Sequence, residues 1–334
     1  MNRFITVVLT LVLCLGFAGC NSTTEDTLYK TKSIVKNNND SIFMAEDEEY
    51  IYFADSILIK KMSKADNSVY TIYDAGKTSF YHVECVDGRV YALGFDIADN
   101  YQFKDVIISM DTDGGNVIKK DFFLLADEQK TIPNGYVYDN QLHYSYDENT
   151  YKVNPDTLEL ELVDEKVTGK HITSNGAVFI RKKEDEKNKL YKVENSGDMV
   201  LFSDESRSVW NTTNFTDYYV FYADVDLNNF TQYNLYRTDI NGENKTLIKE
   251  VPINEATKQI RYDNRYIYLL VSETELLKIN KETLKVTDIS SLAEQFIYCF
   301  DVFDEKLFNT HGIGSKCFDT VTGEEILITD FDLN

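Results

Sequence analysis

A unit of roughly 40 residues recurs seven times along this 334-residue chain, and the recurrence constrains the fold more than any other feature. The stretch LYRTDINGENKTLI, from Leu235 to Ile248, shows the pattern most clearly. Apolar, aromatic, basic and apolar residues lead into a polar turn, and an apolar strand follows. The same pattern reads LIKKMSKADNSVYTI from Leu58, VIISMDTDGGNVIKK from Val106 and TYKVNPDTLELELV from Thr150. It returns as LYKVENSGDMVLF from Leu190, LLKINKETLKVTDI from Leu276 and KCFDTVTGEEILI from Lys316. Anchored on one apolar position, the copies fall at Met62, Met110, Val153, Val193, Thr238, Ile279 and Phe318, with spacings of 48, 43, 40, 45, 41 and 39 residues.

Each copy follows another apolar pair: Ile51-Tyr52, Val90-Tyr91, Leu142-His143, Val178-Phe179, Val220-Phe221, Ile267-Tyr268 and Leu307-Phe308. Tight-turn residues such as Asp87-Gly88, Asp139-Asn140 and Asp304-Glu305 precede most of these pairs, and one more strand lies before each turn. The unit is therefore a meander of four strands, A to D. The 23 Tyr and 20 Phe occur in short alternating runs, and amphipathic helical spacing is nearly absent. These features predict an all-β chain, a β-propeller of seven four-stranded blades, with six or eight blades as alternatives. Radial closure would remove the long edges that such a chain otherwise exposes.

Val220-Phe-Tyr-Ala-Asp followed by Leu235-Tyr-Arg-Thr-Asp-Ile-Asn-Gly-Glu-Asn, with Ile51-Tyr-Phe-Ala-Asp as a second copy, resembles the YWTD propellers of low-density-lipoprotein-receptor type. The chain is more similar still to the bacterial lipoprotein β-propellers of unknown function with such repeats. The resemblance covers roughly Ser41 to Asp330. The receptor family has six blades against seven units here, which weighs against a receptor-like role.

The N-terminus reads as an address. Arg3 precedes an uncharged, mostly apolar run from Phe4 to Ala18, too short for a spanning helix and suited to a signal peptide. Phe17-Ala-Gly-Cys20 resembles a bacterial lipobox, with cleavage before Cys20 and acylation of its thiol. Residues 1–19 are assigned to a lipoprotein signal peptide, 20–40 to the lipidated cysteine and a polar tether, and 41–334 to a single propeller domain. Leu28 to Val35 either adds an outer closing strand or belongs to the tether. The expected location is the outer, extracytoplasmic side of the cell membrane, held by the N-terminal lipid.

The net charge of −22 repels phosphate backbones and excludes nucleic acid as a partner. Beyond Cys14 and Cys20 the chain has Cys85, Cys299 and Cys317, an odd number without CxxC spacing. That argues against a disulfide framework or structural zinc, with a Cys299–Cys317 bridge as the lesser alternative.

The A–B and C–D turns are short and share one rim. The B–C and D–A connections share the other, and several read as long: 94–105, 121–135, 181–189, 203–212 and 223–233. Long loops on a rigid scaffold are where binding sites are built. These carry aromatic and acidic residues together, a combination suited to a protein, a peptide or a cell-envelope glycan. The candidate ligand-binding residues are Phe95, Tyr101, Phe103, Phe122, Tyr146, Asp147, Trp210, Asp224 and Asp226.

No cofactor is expected. Asp111-Thr-Asp-Gly-Gly and Asp239-Ile-Asn-Gly-Glu-Asn begin like EF-hand loops, but the residues that should curl round an ion read as strand D. They are assigned to hairpin turns, and Ca²⁺ on Asp224, Asp226 and Asn228 is the alternative. His82, His143, His171 and His311 lie in four different units, with His82 and His171 expected near the central channel. GxSxG, SxxK and phosphate-loop motifs are missing. The sequence reads as a non-enzymatic, lipid-anchored binding protein. The alternatives are a glycan hydrolase or lyase with two inner-strand carboxylates, and a scaffold subunit contacted through its blade sides.

Overall fold

The computed structural model describes residues 44–97, 103–124, 134–146, 149–173, 175–184, 187–203, 213–225, 232–252, 259–272, 274–296, 300–309, 316–326 and 330–331. The chain divides into two compact units, Met1–Ser33 and Ile34–Asn334, and every described residue belongs to the second.

Seven antiparallel meanders follow one another. Blade 1 comprises β1 (Met44–Glu46), β2 (Tyr50–Asp55), β3 (Leu58–Ser63) and β4 (Val69–Asp74). Blade 2 comprises β5 (Thr78–Val86), β6 (Arg89–Ile97), β7 (Phe103–Asp111) and β8 (Ile118–Leu124). Blade 3 comprises β9 (Asn134–Tyr138), β10 (Gln141–Tyr146), β11 (Asn149–Val153) and β12 (Leu160–Asp164). Blade 4 comprises β13 (Val167–Ile172), β14 (Val178–Glu184), β15 (Lys187–Val193) and β16 (Met199–Ser203). Blade 5 comprises β17 (Asn214–Phe215), β18 (Tyr219–Val225), β19 (Gln232–Asp239) and β20 (Thr246–Pro252). Blade 6 comprises β21 (Gln259–Tyr262), β22 (Tyr266–Ser272), β23 (Glu275–Asn280) and β24 (Val286–Asp288), then a 3₁₀ helix, Ser290–Phe296. Blade 7 comprises β25 (Phe300–Phe303), β26 (Lys306–Asn309), β27 (Lys316–Asp319) and β28 (Glu325–Ile326). The blade number is seven, as the repeat predicts, and all seven anchor residues fall on the third strand of their blade.

The core lies between blades. Successive side chains along a strand point to opposite faces, so each sheet buries one face against the blade before it and the other against the blade after. Val83, Ala92 and Ile108 pack with Tyr52 and Ile59 between blades 1 and 2, and Tyr91 and Leu93 pack with Leu142 and Tyr144 between blades 2 and 3. The Thr150 hydroxyl of blade 3 donates to the Val167 carbonyl of blade 4 at 2.7 Å. Further clusters join blades 4 and 5, 5 and 6, and 6 and 7. Phe308 and Cys317 of blade 7 pack with Met44, Ile51 and Met62 of blade 1 and close the ring.

A second device closes it through backbone hydrogen bonds. The strand β29 (Asp330–Phe331) pairs parallel with β4, so the C-terminal segment becomes the outermost strand of blade 1. The closing strand that the sequence offered, Leu28 to Val35, lies outside the described residues.

Two parts of the repeat motif have a structural reason. In blade 1 Asp47 Oδ1 accepts from the Glu49 and Tyr50 amides and Oδ2 from the Tyr52 hydroxyl at 2.6 Å. Asp263 repeats this in blade 6 with Arg265, Tyr266 and the Tyr268 hydroxyl. The buried tyrosines thus bury their rings without stranding a hydroxyl.

The basic residue of the repeat reaches forward. Lys61 Nζ donates to the Thr112 carbonyl, Lys192 to Asn241 Oδ1, Arg237 to the Glu282 carbonyl and Lys278 to Thr320 Oγ1. In each case the partner lies in the turns of the next blade.

The hairpin reading of the two glycine turns holds. Gly114 and Gly242 have φ of 88° and 82°, in the left-handed region that favours glycine. Asp239 Oδ1 accepts from the Asn241 and Glu243 amides and Oδ2 from Asn244 Nδ2, so its carboxylate is occupied by its own turn.

Candidate functional site

Antiparallel meanders place the A–B and C–D turns on one rim, and their own hydrogen bonds close them tightly. The B–C and D–A connections leave from the opposite rim. Two of them are shorter than the sequence suggests. The segment 181–189 is mostly ladder, since Lys182 pairs with Lys189 and Glu184 with Lys187, leaving only 185–186 between the strands. Lys189 and the Tyr191 hydroxyl both donate to Glu184, which neutralises a charged run that reads as loop. Likewise β6 and β7 pair out to Ile97 and Phe103, leaving 98–102.

Phe95 lies on β6, Phe103 on β7, Phe122 on β8, Tyr146 on β10 and Asp224 on β18, so these predicted loop residues are strand residues at the long-connection end of their blades. Extended aromatic runs prefer the ladder to the loop. Tyr101, Asp147, Trp210 and Asp226 lie outside the described residues, as does Cys20. The structure brings Phe95, Phe103, Phe122 and Tyr146 to neighbouring blades 2 and 3.

Below that part of the rim sits a buried polar cluster that the sequence reading did not single out. Asp105 on β7 is fully buried, and neither carboxylate oxygen has a hydrogen bond of good geometry. Burial pushes its carboxyl up to about 6, moderated by the Tyr81 hydroxyl beside it. The Tyr81 ring stacks on Phe95, with centroids 6.3 Å apart. Deeper in the crevice, Glu84 Oε1 lies 3.3 Å from His82 Nε2. His82 reaches blade 3 because Gly135 has no side chain; a Cβ there would meet His82 Nε2 at 2.4 Å. The signal for Asp105 was its alternation with Ile107 and Ser109 on one face of a strand otherwise buried on both faces.

Asp96, also acidic and also at this rim, is committed differently. Its oxygens accept from the Thr78 hydroxyl at 2.6 Å and Lys119 Nζ at 2.9 Å. Burial opposes ionisation there, but these two donors outweigh it and hold the carboxyl below its usual range.

The inner strands carry a polar ring. One register position, paired with the second residue of the apolar pair in strand B (Tyr91, His143, Phe179, Phe221, Tyr268 and Phe308), is Glu84, Tyr136, His171, Asn214, Arg261 and Asp301 in blades 2 to 7. All six are buried. His171 stacks on Phe215 of blade 5 at 4.4 Å, and burial with Arg181 nearby lowers its ring to about 3. Arg261 Nε donates to the Phe300 carbonyl at 2.8 Å and lies 3.2 Å from Asp301. Among the described residues the inner-strand carboxylates are Glu46, Glu84 and Asp301, and each sits against its own basic partner: Lys64, His82 and Arg261.

Among the described residues no group of three or more His, Cys, Asp or Glu is placed to hold a metal, and no helix is long and apolar enough to cross a membrane. Cys317 is a free thiol in blade 7, which burial pushes up to about 12.

No family model matches the chain, and no curated protein sequence matches it either. The YWTD-type resemblance therefore stands on the quoted residues, and seven blades depart from the receptor's six. Solved structures share the fold. A puromycin hydrolase superposes with a TM-score of 0.52 at 10% identity, covering 88% of this chain and 55% of its own. PorZ, a surface component of the type-IX secretion system of Porphyromonas gingivalis, gives 0.50 at 12%, covering 83% and 37%. YCF48 bound to D1 peptide gives 0.50 at 10%, covering 82% and 89%. The chain thus spans well under two thirds of the first two proteins. At these identities the likeness establishes a shared fold: this chain is a seven-bladed β-propeller.

Proposed function

We propose that this chain is a lipid-anchored interaction protein on the outer side of the cell membrane, holding a protein, peptide or envelope glycan on its long-connection rim. The observation that carries the reading is the asymmetry of the two rims. One consists of tight hydrogen-bonded turns, and the other holds the strand ends of blades 2 and 3 that carry Phe95, Phe103, Phe122 and Tyr146, with the buried Asp105 on the same strand as Phe103. Rigid blades beneath variable connections suit recognition. One solved propeller of similar fold holds a peptide and another is a hydrolase. Binding is favoured over glycan hydrolysis here because the inner-strand carboxylates described are each engaged with a basic group. Paired hydrolytic carboxylates instead need free oxygens facing a substrate. Acylation of Cys20 supplies the anchor in this reading.

The test is photo-crosslinking in intact cells, with the reactive residue placed at Tyr101 or Trp210 on one rim and at Asn241 on the other. A discrete adduct from the first two positions and none from Asn241 is expected. Equal labelling from both rims would overturn the choice of face. Cys20→Ser should separately abolish membrane retention.

A further inference from the structure

The outer strands of the blades are edges, and edges invite pairing unless charge or cover blocks them. Most here are blocked. β8 carries Lys119, Lys120 and Asp121, β12 carries Glu161 and Asp164, and β20 carries Lys249, Glu250 and Pro252. β24 holds Asp288 and β28 holds Glu325. Of the outer strands with five or more described residues, two lack an internal charge. One is β4, whose single acid, Asp74, is its last residue; that strand is covered by β29. The other is β16, MVLFS, which among the described residues pairs only with β15.

The chain thus shows how it treats an uncharged outer strand, by adding another strand to it, and among the described residues one such strand has no addition. Three consecutive side chains of β16 stand in solvent: Met199, Val200 and Leu201 are 45%, 51% and 50% exposed. Consecutive residues point to opposite faces, so both faces are exposed from Met199 to Leu201, while Phe202 beyond them packs on Phe179. Leu162 and Val163, on the outer strand β12 of the preceding blade, are 48% and 40% exposed as well.

Charge selects the occupant. Glu194 and Asp198 border the turn into β16, with Lys192 3.8 Å from Glu194, and Glu161 and Glu165 flank the exposed part of β12 on the preceding blade. A second copy of this chain, at net charge −22, would bring like charge to the same edge. We propose that β16 is a strand-addition site for an extended segment of alternating apolar residues flanked by lysine or arginine. Main-chain hydrogen bonds would supply affinity and the alternate side chains specificity. The site stands apart from the long-connection rim and gives a scaffold role a defined surface.

The full-length protein in detergent is titrated with three labelled nonapeptides, KKVTVTVKK, EEVTVTVEE and KKVTPTVKK, read by fluorescence anisotropy. The first is expected to bind at least tenfold more tightly than the other two, and to slow amide exchange across Met199–Ser203. Leu201→Lys should weaken it at least tenfold, whereas Leu247→Lys on β20 should not. Both substitutions fall on exposed positions, and an unchanged melting temperature verifies the fold. Equal binding of the three peptides, or indifference to Leu201→Lys, would overturn the proposal. So would a concentration-dependent dimer that Leu201→Lys dissolves, because the occupant would then be a second copy.

Discussion

Lys278 of blade 6 donates to the Thr320 hydroxyl of blade 7 at 2.9 Å while its ammonium lies 4.1 Å from the centre of the Tyr266 ring. Glu305, also of blade 7, accepts a second hydrogen bond from the same ammonium. One side chain therefore fastens two blades and covers a tyrosine face in its own. Lys61 does the same with Thr112 and Tyr50, and Arg237 with Glu282 and Tyr219. Lys278→Met keeps the stem and removes the charge. We expect a loss of about 2–3 kcal/mol, because it leaves a buried hydroxyl and a carboxylate without their donor. Urea unfolding measures it. Lys119→Met, at a more exposed pair, should cost under about 1 kcal/mol.

Asp105 predicts a pH dependence of definite sign. Its folded carboxyl lies at about 6, above its ordinary value of 3.8. The folded state therefore binds more protons than the unfolded chain between those values. The stabilising effect of the neutral form is complete below about pH 4 and is lost as pH rises through about 6. Asp105→Asn keeps the neutral form throughout. The variant should match the wild type near pH 4 and exceed it by about 1–2 kcal/mol at pH 8. Urea titrations at both pH values decide it; a constant difference would show that Asp105 does not titrate in this range.

Gly135→Ala places a methyl group against His82 Nε2 and against Tyr144 Cε1, which would lie 2.8 Å away. A cost of about 1–3 kcal/mol is expected from overpacking. His82→Ala should relieve part of it, so the double variant should be less destabilised than the sum of the singles. Additivity would show that the two residues do not oppose each other.

Ending the chain at Ile326 removes β29 and uncovers β4. Amide exchange at Val69 and Tyr70 should accelerate, and stability should fall by about 1–3 kcal/mol. Exchange in β16 should not change, since among the described residues β16 pairs only with β15 and not with β29.

The blade number was legible because every copy of the repeat placed its apolar anchor on the third strand, where burial is complete enough to forbid a polar residue in most blades. The basic letter before that anchor was visible too, but its partners lie about one repeat further along, as Arg237 and Glu282 do. No local pattern marks such a contact. The run Arg181 to Lys189 reads as loop because its charges cancel only when the two strands are paired, as Lys189 and Glu184 are. Asp105 was hidden for the opposite reason. A single acid at the edge of a long apolar strand looks like the end of a loop until the neighbouring blade covers it. The strand β29 has two residues, too few to carry a signature.

The parallel pairing of Asp330 and Phe331 with Val69 and Tyr70 has a temporal consequence. Blade 1 is synthesised first, yet its outermost strand and part of its core, Phe308 and Cys317, are synthesised last. The first blade to emerge from the ribosome is therefore the last to be completed. Until the final residues arrive, the growing chain carries an open arc with an unfinished surface at each end, and these are the two surfaces most prone to meet the wrong neighbour.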